Sequence, residues 1–190
     1  MAKSKQNLII YGAPGSGKGT QGKLIADKLK IFYFSTGDAF RNEISKGSKL
    51  GKDVEQILKG GHLVPDQIVI EIVKSTLKER AKNGFILDGF PRTLVQAEAL
   101  EKLFEELKIT NVKIINLEVD EKEVVKRLLN RAKIEGRADD TKEIIENRME
   151  VYKTQTKPIL DYYSTHEDLI NINAKGTIDE ILKRILDSIK

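Results

Sequence analysis

There is no cysteine among the 190 residues, so neither a disulfide framework nor a thiolate metal site is available. No apolar run approaches the roughly 18 residues a membrane-spanning helix needs. The opening Met-Ala-Lys-Ser-Lys leads directly into a short apolar stretch, so no signal peptide is expected and the cytoplasm is the default location. Aromatic residues make up only 6% and show no stacking pattern. The charge balance, 33 basic against 29 acidic residues, contains no basic block. The net charge of +4 therefore reads as solvated surface, and nucleic acid is not an expected partner. Arginine is scarce as well. Of the 33 basic residues only eight are arginines: Arg41, Arg80, Arg92, Arg127, Arg131, Arg137, Arg148 and Arg184. Lysine supplies ordinary surface charge, so arginine marks places where a planar fork must grip oxygens in pairs. Arg80 and Arg184, on lysine-rich helical patterns, read as surface; the others are candidate phosphate ligands.

Glycine is abundant in one place. Residues 7–20 read Asn-Leu-Ile-Ile-Tyr-Gly-Ala-Pro-Gly-Ser-Gly-Lys-Gly-Thr. A short apolar run ends at Gly12, a glycine-rich stretch follows, and a helical pattern begins at Lys18. Strand, glycine loop and helix in this register turn backbone N–H groups inward, and the helix N-terminus adds positive potential. Lys18 supplies a full charge at the mouth. The product is a cradle for nucleoside triphosphate phosphates. Gly12 to Lys18 fits G-x-x-x-x-G-K, but Gly19 stands where Ser or Thr completes the pattern, and Thr20 comes one later. Gly17 to Gly22 also matches G-x-G-x-x-G, with Asp38 about twenty residues on. In a dinucleotide fold the first Gly comes straight after the strand, whereas Gly17 lies six residues beyond Tyr11, so position excludes that reading.

Strand and helix signals alternate. Strands are predicted at Leu8–Tyr11, Phe32–Ser35, Phe85–Asp88, Lys113–Glu118 and Leu169–Ile172. Helices are predicted at Lys18–Leu29, Ala39–Lys46, Leu50–Lys59, Gln67–Ala81, Leu94–Leu107, Glu121–Ala132, Lys142–Tyr162 and Ile178–Ile189. Thr177 and Glu180 form a capping box for the last helix. The alternation predicts a three-layer α/β fold, a parallel five-stranded sheet with helices on both faces, and the glycine loop after its first strand makes the expected type that of the P-loop nucleoside triphosphate hydrolases. Two stretches break it. About fifty residues between Phe34 and Phe85 carry helical patterns and no strand signal. Lys133 to Asp140 is short and polar, between two long helices. Both leave the sheet at strand carboxyl ends, where open α/β sheets bind ligands.

Asp88-Gly89-Phe90-Pro91-Arg92-Thr93 forms a second constellation. An acidic residue at a strand end beside a phosphate loop suits magnesium, directly or through its waters. Arg92 projects from a turn fixed by Pro91. A plainer alternative is a strand-to-helix turn with Thr93 and Gln96 as a capping box. A GTPase switch would need an Asn-Lys-x-Asp motif, which the sequence lacks.

Together these motifs resemble the adenylate kinases, within the nucleoside monophosphate kinase family. The resemblance runs nearly end to end: Gly12 to Thr20, Ser35-Thr36-Gly37-Asp38 with Arg41, Gly61-His62-Leu63-Val64-Pro65-Asp66, Asp88 to Arg92, and Arg131 to Arg148. Gly after the loop lysine is usual there, so Gly19 becomes a mark of likeness. The resemblance implies one core domain over residues 1–190, with a monophosphate-binding segment at 35–64 and a short lid at 131–140. It implies transfer of the γ-phosphoryl group of ATP to AMP, giving two ADP, with Mg²⁺, by a monomer.

The resemblance also assigns residues. Gly15, Ser16, Gly17, Lys18, Gly19 and Thr20 hold the ATP phosphates, with Arg131 and Gly176 on the ATP side. Arg127 shares the helical face of Arg131 and has two open roles, an ATP contact or a brace for its helix. Thr36, Arg41, His62, Leu63, Val64, Gly89, Phe90, Arg92 and Gln96 form the AMP side. Lys18, Arg92, Arg131, Arg137 and Arg148 neutralise the transferred group, with Arg137 and Arg148 also reaching AMP. Asp88 orients magnesium's waters. Thr36 and Gln96 match the adenylate branch rather than the uridylate/cytidylate one, and a Gln amide can pair with adenine's N6 amine and N1. The lid is short and without Cys, so no structural zinc is expected. His62 and His166 are isolated, and neither reads as a base or metal ligand.

Overall fold

The computed structural model describes residues 5–135, 141–164 and 169–190. Five strands, β1 (Asn7–Gly12), β2 (Phe32–Ser35), β3 (Phe85–Asp88), β4 (Val112–Glu118) and β5 (Leu169–Asn173), form one sheet in the order β2-β3-β1-β4-β5. Every pairing is parallel. The first strand thus lies at the centre, flanked by β3 and β4, which leaves a crevice at the carboxyl end of β1.

Alternation along the strands divides the core. In β1, Leu8 and Ile10 face a layer with Ile25 of α1 (Lys18–Leu29) and Ile185 of α9 (Ile178–Ser188). Ile9 and Tyr11 face the opposite layer. There Val73 and Leu77 of α4 (Asp66–Arg80), Leu100 of α5 (Leu94–Leu107) and Ile159 of α8 (Lys157–Ser164) close over the sheet. A satellite cluster joins Ala13 of the glycine loop to Val124 and Leu128 of α6 (Glu121–Glu135) and to Ile145 and Met149 of α7 (Lys142–Val151). The expected three layers are present.

The helical stretch after β2 contains α2 (Thr36–Ser45) and α3 (Lys49–Lys59), packed on each other. Helix α2 begins three residues before the predicted Ala39. Ser35 ends β2 in an extended conformation, and its hydroxyl accepts the Asp38 N–H, so the strand runs into a capped helix without a loop. The predicted helix Lys142–Tyr162 is interrupted. Between α7 and α8, Tyr152–Thr156 is π-helical, and the Lys157 N–H reaches back to Tyr152 O. Pro158 has no N–H to return to the residue four before it, so the regular ladder cannot continue through it. The wider turn carries Thr156, whose hydroxyl donates to Arg92 O at 3.2 Å and ties this helix to the loop after β3. Among the described residues, no helix is long and apolar enough to cross a membrane.

Candidate functional site

The glycine loop joins β1 to α1 and is folded by its own lysine. Lys18 Nζ donates to Gly12 O at 2.6 Å and Ala13 O at 2.9 Å, curling the loop over its side chain. Gly15 has φ +80°, and a Cβ there would stand 2.7 Å from Leu128 Cγ, so both backbone angle and space demand glycine. Arg127 reaches the same loop from α6. Its Nε donates to Glu123 Oε1 at 2.9 Å, Nη1 to Ser16 O at 3.4 Å and Nη2 to Ala174 O at 3.0 Å. It therefore joins α6, the glycine loop and the β5–α9 loop, a wider brace than one for its own helix alone. Gly176 follows in that last loop. Arg184, read from sequence as plain surface, holds the loop too, donating to Asn173 O and Lys175 O.

Asp88 closes β3 beside the loop, 8% exposed. Its Oδ2 accepts the Tyr33 hydroxyl at 2.7 Å. Burial and the Asp88 carboxylate raise the Tyr33 pKa far enough that the phenol stays protonated. A Cβ on Gly19 would lie 3.6 Å from Asp88 Oδ2, so the carboxylate borders the loop where a serine or threonine would otherwise stand.

Charge converges on Lys18. Burial, the strongest influence, lowers its pKa to about 8; Asp88 opposes this, while Arg92, Arg148 and Arg131 add to it. Those residues come from the loop after β3, from α7 and from α6. The fold thus gathers cations that the sequence spreads over more than a hundred positions. Arg137 lies outside the described residues.

A second concavity adjoins this cluster, lined by Thr36, Gly37, Phe40, His62, Leu63, Val64, Gly89, Arg92 and Gln96. Every described residue assigned to the AMP side is on this wall or beside it. Phe90 is buried next to Gly89, and the Phe90–Pro91 peptide is cis. Arg41 donates to Asp38 Oδ1 at 2.6 Å and lies within electrostatic reach of Arg92. Arg92 Nε donates to Gly89 O at 2.8 Å, and Thr36 Oγ1 donates to the same carbonyl at 2.9 Å. Gly89 has φ +78°, and a Cβ there would meet Arg92 Nη2 at 2.7 Å. Thr93 Oγ1 accepts the Gln96 N–H at 3.2 Å, as a helix cap should. The reciprocal half of the capping box is absent: the Gln96 amide accepts from Arg92 N instead, at 2.8 Å. A larger cavity of about 510 Å³, lined by Lys5, Lys30, Leu186, Ile189 and their neighbours, lies at the other end of the sheet, away from the strand carboxyl ends.

The adenylate kinase family model matches residues 10–168. An adenylate kinase of Synechococcus sp. (strain CC9902) is 45% identical over 181 residues, covering 95% of this chain and 97% of that one. One from Leptospira biflexa is 45% identical over 185 residues, covering 97% and 100%. One from Thermobifida fusca is 42% identical over 184 residues, covering 96% and 97%.

The chain belongs to the adenylate kinase family. It is a nucleoside monophosphate kinase, a phosphotransferase that binds nucleotides. Three residues that shape this candidate site were given no role from the sequence, although Asp66 closes the Gly61 to Asp66 motif. Tyr33 stands among strand residues. Asp66 reads as an acid opening a helix, yet it accepts Gln96 Nε2 at 2.7 Å. Asn147 reads as an ordinary helix position, yet its Nδ2 donates to Gly60 O at 2.6 Å. Each acts through a partner at least 30 positions away, which periodicity and spacing do not reveal.

Proposed function

We infer that the chain catalyses reversible transfer of the γ-phosphoryl group of ATP to AMP, giving two ADP, with Mg²⁺, as a cytoplasmic monomer. The observation that carries this reading is the group of cations within electrostatic reach of Lys18: Arg92, which also lines the second concavity, Arg131 and Arg148, with Asp88 beside them. So many like charges suit a site meant to receive several anions.

In this reading the backbone N–H groups of Gly15 to Thr20, with Lys18, hold the donor's β- and γ-phosphates, and Arg127, Arg131 and Gly176 border the donor. Arg41 and Arg92 grip the acceptor's phosphate. Arg137 and Arg148 bridge acceptor and transferred group. The acceptor oxygen is already anionic, so no strong base is required. Catalysis is positioning plus charge stabilisation. Asp88 offers a hard oxygen donor beside the loop, the chemistry magnesium selects, and would hold it through water. Magnesium held there would supply neutralisation of negative charge on the phosphates. Segment 35–64 and segment 131–140, of which residues 136–140 lie outside the described residues, would act as covers, excluding water that would compete as acceptor and screen the arginines.

A coupled assay for ADP from ATP plus AMP, with and without Mg²⁺, tests the reading. Production of ADP that needs both nucleotides and the metal is expected. Absence of ADP formation from AMP, with turnover of UMP, CMP or GMP instead, would move the chain to another branch of the monophosphate kinases.

A further inference from the structure

Both ends of the Gln96 amide are tied. Oε1 accepts the Arg92 N–H at 2.8 Å, and Nε2 donates to Asp66 Oδ1 at 2.7 Å. A backbone N–H can only donate, and an ionised carboxylate can only accept. The amide therefore has one chemically permitted orientation. Gln96 is 1% exposed and lines the concavity with Thr36 and Val64.

We propose that Asp66 is a positioning residue for base selection: by holding the Gln96 amide in one orientation, it keeps 6-oxo purine monophosphates out of the acceptor site. The proposal rests on reading the concavity as that site. A primary amide has two N–H donors and two oxygen lone pairs. Asp66 takes one donor, and Arg92 N takes one lone pair. One of each remains. Adenine presents a donor at N6 and an acceptor at N1, which match that pair. Hypoxanthine and guanine present the reverse, an acceptor at O6 and a donor at N1. Against the fixed amide their O6 faces Oε1 and their N1–H faces an N–H. A glutamine able to rotate by half a turn would read either edge. Here rotation would point Oε1 at the Asp66 carboxylate and Nε2 at the Arg92 N–H, mismatching both of these part-buried hydrogen bonds. Selectivity against the 6-oxo edge thus comes from a residue outside the base's own contacts. Asp66 opens α4, where an acid is favoured by the helix N-terminus, but that preference does not require it to meet Gln96.

The test measures kcat/KM for AMP and for IMP, which differ at this edge, in the wild-type chain and in Asp66→Asn. An asparagine can donate or accept, so it releases one end of the amide without changing shape. The AMP-to-IMP ratio is expected to fall about tenfold, mostly through a lower KM for IMP. Asp66→Ala should move the ratio in the same direction, and calorimetric titration of IMP onto each protein reads the change without turnover. If both substrates lose activity equally and the ratio holds in both variants, Asp66 is structural only and the proposal is overturned. A wild-type chain that does not phosphorylate AMP would instead overturn the reading of the site itself.

Discussion

The Tyr33 hydroxyl donates to Asp88 Oδ2 at 2.7 Å, from the edge strand of the sheet to the end of its neighbour. The Tyr33 ring lies against α1, where a Cβ on Gly22 would approach its Cε2 to 2.6 Å. Ring and hydroxyl together hold the carboxylate beside the glycine loop. Tyr33→Phe keeps the ring and removes one hydrogen bond to a charged acceptor. It is expected to lower the unfolding free energy by about 1–2 kcal/mol and to shift the Mg²⁺ concentration for half-maximal activity. Urea titration and a Mg²⁺ activation curve check the two effects. An unchanged activation curve would remove Tyr33 from any role in setting Asp88.

Gly19 has space that the family's missing hydroxyl could fill. A Cβ there would meet Asp88 Oδ2 at 3.6 Å and Tyr33 Oη at 3.7 Å, ordinary contacts, so Gly19→Ser should fold normally. Its hydroxyl would compete for Asp88 with Tyr33. An unaltered melting temperature with altered Mg²⁺ dependence is the expected pair of results. A large loss of stability would show that position 19 needs glycine for its backbone.

The sequence made the strands legible because parallel strands buried on both faces read as short apolar runs. All five predicted strands lie within one residue of those observed. The glycine loop was legible for a different reason, since its chemistry needs fixed residues at fixed spacing. What escaped was decided partly by a local cap and a local helix break, and partly by distant partners. The Ser35 cap moved α2 forward, and Pro158 opened the helix after α7. The partners of Arg127 lie 4, 111 and 47 positions away, and only the nearest could be anticipated from helical spacing.

Lys18 combines a depressed pKa with the central position in the cluster. Lys18→Ala is expected to lower kcat at least a hundredfold, roughly 3 kcal/mol of barrier. The ammonium is the useful form, and in the free protein it is lost as pH rises through about 8. kcat/KM should therefore show a descending limb there. Bound phosphates favour the charged form, so the corresponding limb in kcat should lie at higher pH. Coincident limbs in the two profiles would argue that another group titrates.

Thr36 and Gln96 are expected to act together on the base. Thr36→Ala with Gln96→Asn should raise pyrimidine use relative to adenine by about fivefold per lost hydrogen bond, on the order of 1 kcal/mol. Both side chains are buried and bonded to the loop after β3, so a loss of stability should accompany the change. Comparing AMP, UMP and CMP at equal folded fraction separates selection from stability. An unchanged acceptor preference would place base selection elsewhere, in the Leu63–Val64 backbone.

Asn147 and Gly60 link the two halves of the site. Asn147 Nδ2 donates to Gly60 O at 2.6 Å, joining α7 to the turn after α3. Arg148 follows Asn147 on the same helix, and Leu63 and Val64 follow Gly60 into the concavity. The bond thus couples the position of a cation in the Lys18 cluster to the wall of the concavity. Asn147→Ala removes it without altering either. The wall should then be less firmly seated, so hydrogen exchange at residues 60–64 should accelerate. The extra ordering on binding should appear chiefly as a raised KM for AMP, with kcat less affected because the charges around the transferred group remain. A ligand joining two adenosines by five phosphates should restore protection by holding both halves at once. If exchange at 60–64 is equal in the two proteins, the bond does not seat the segment. A fall in kcat with KM unchanged would place its effect on Arg148 instead.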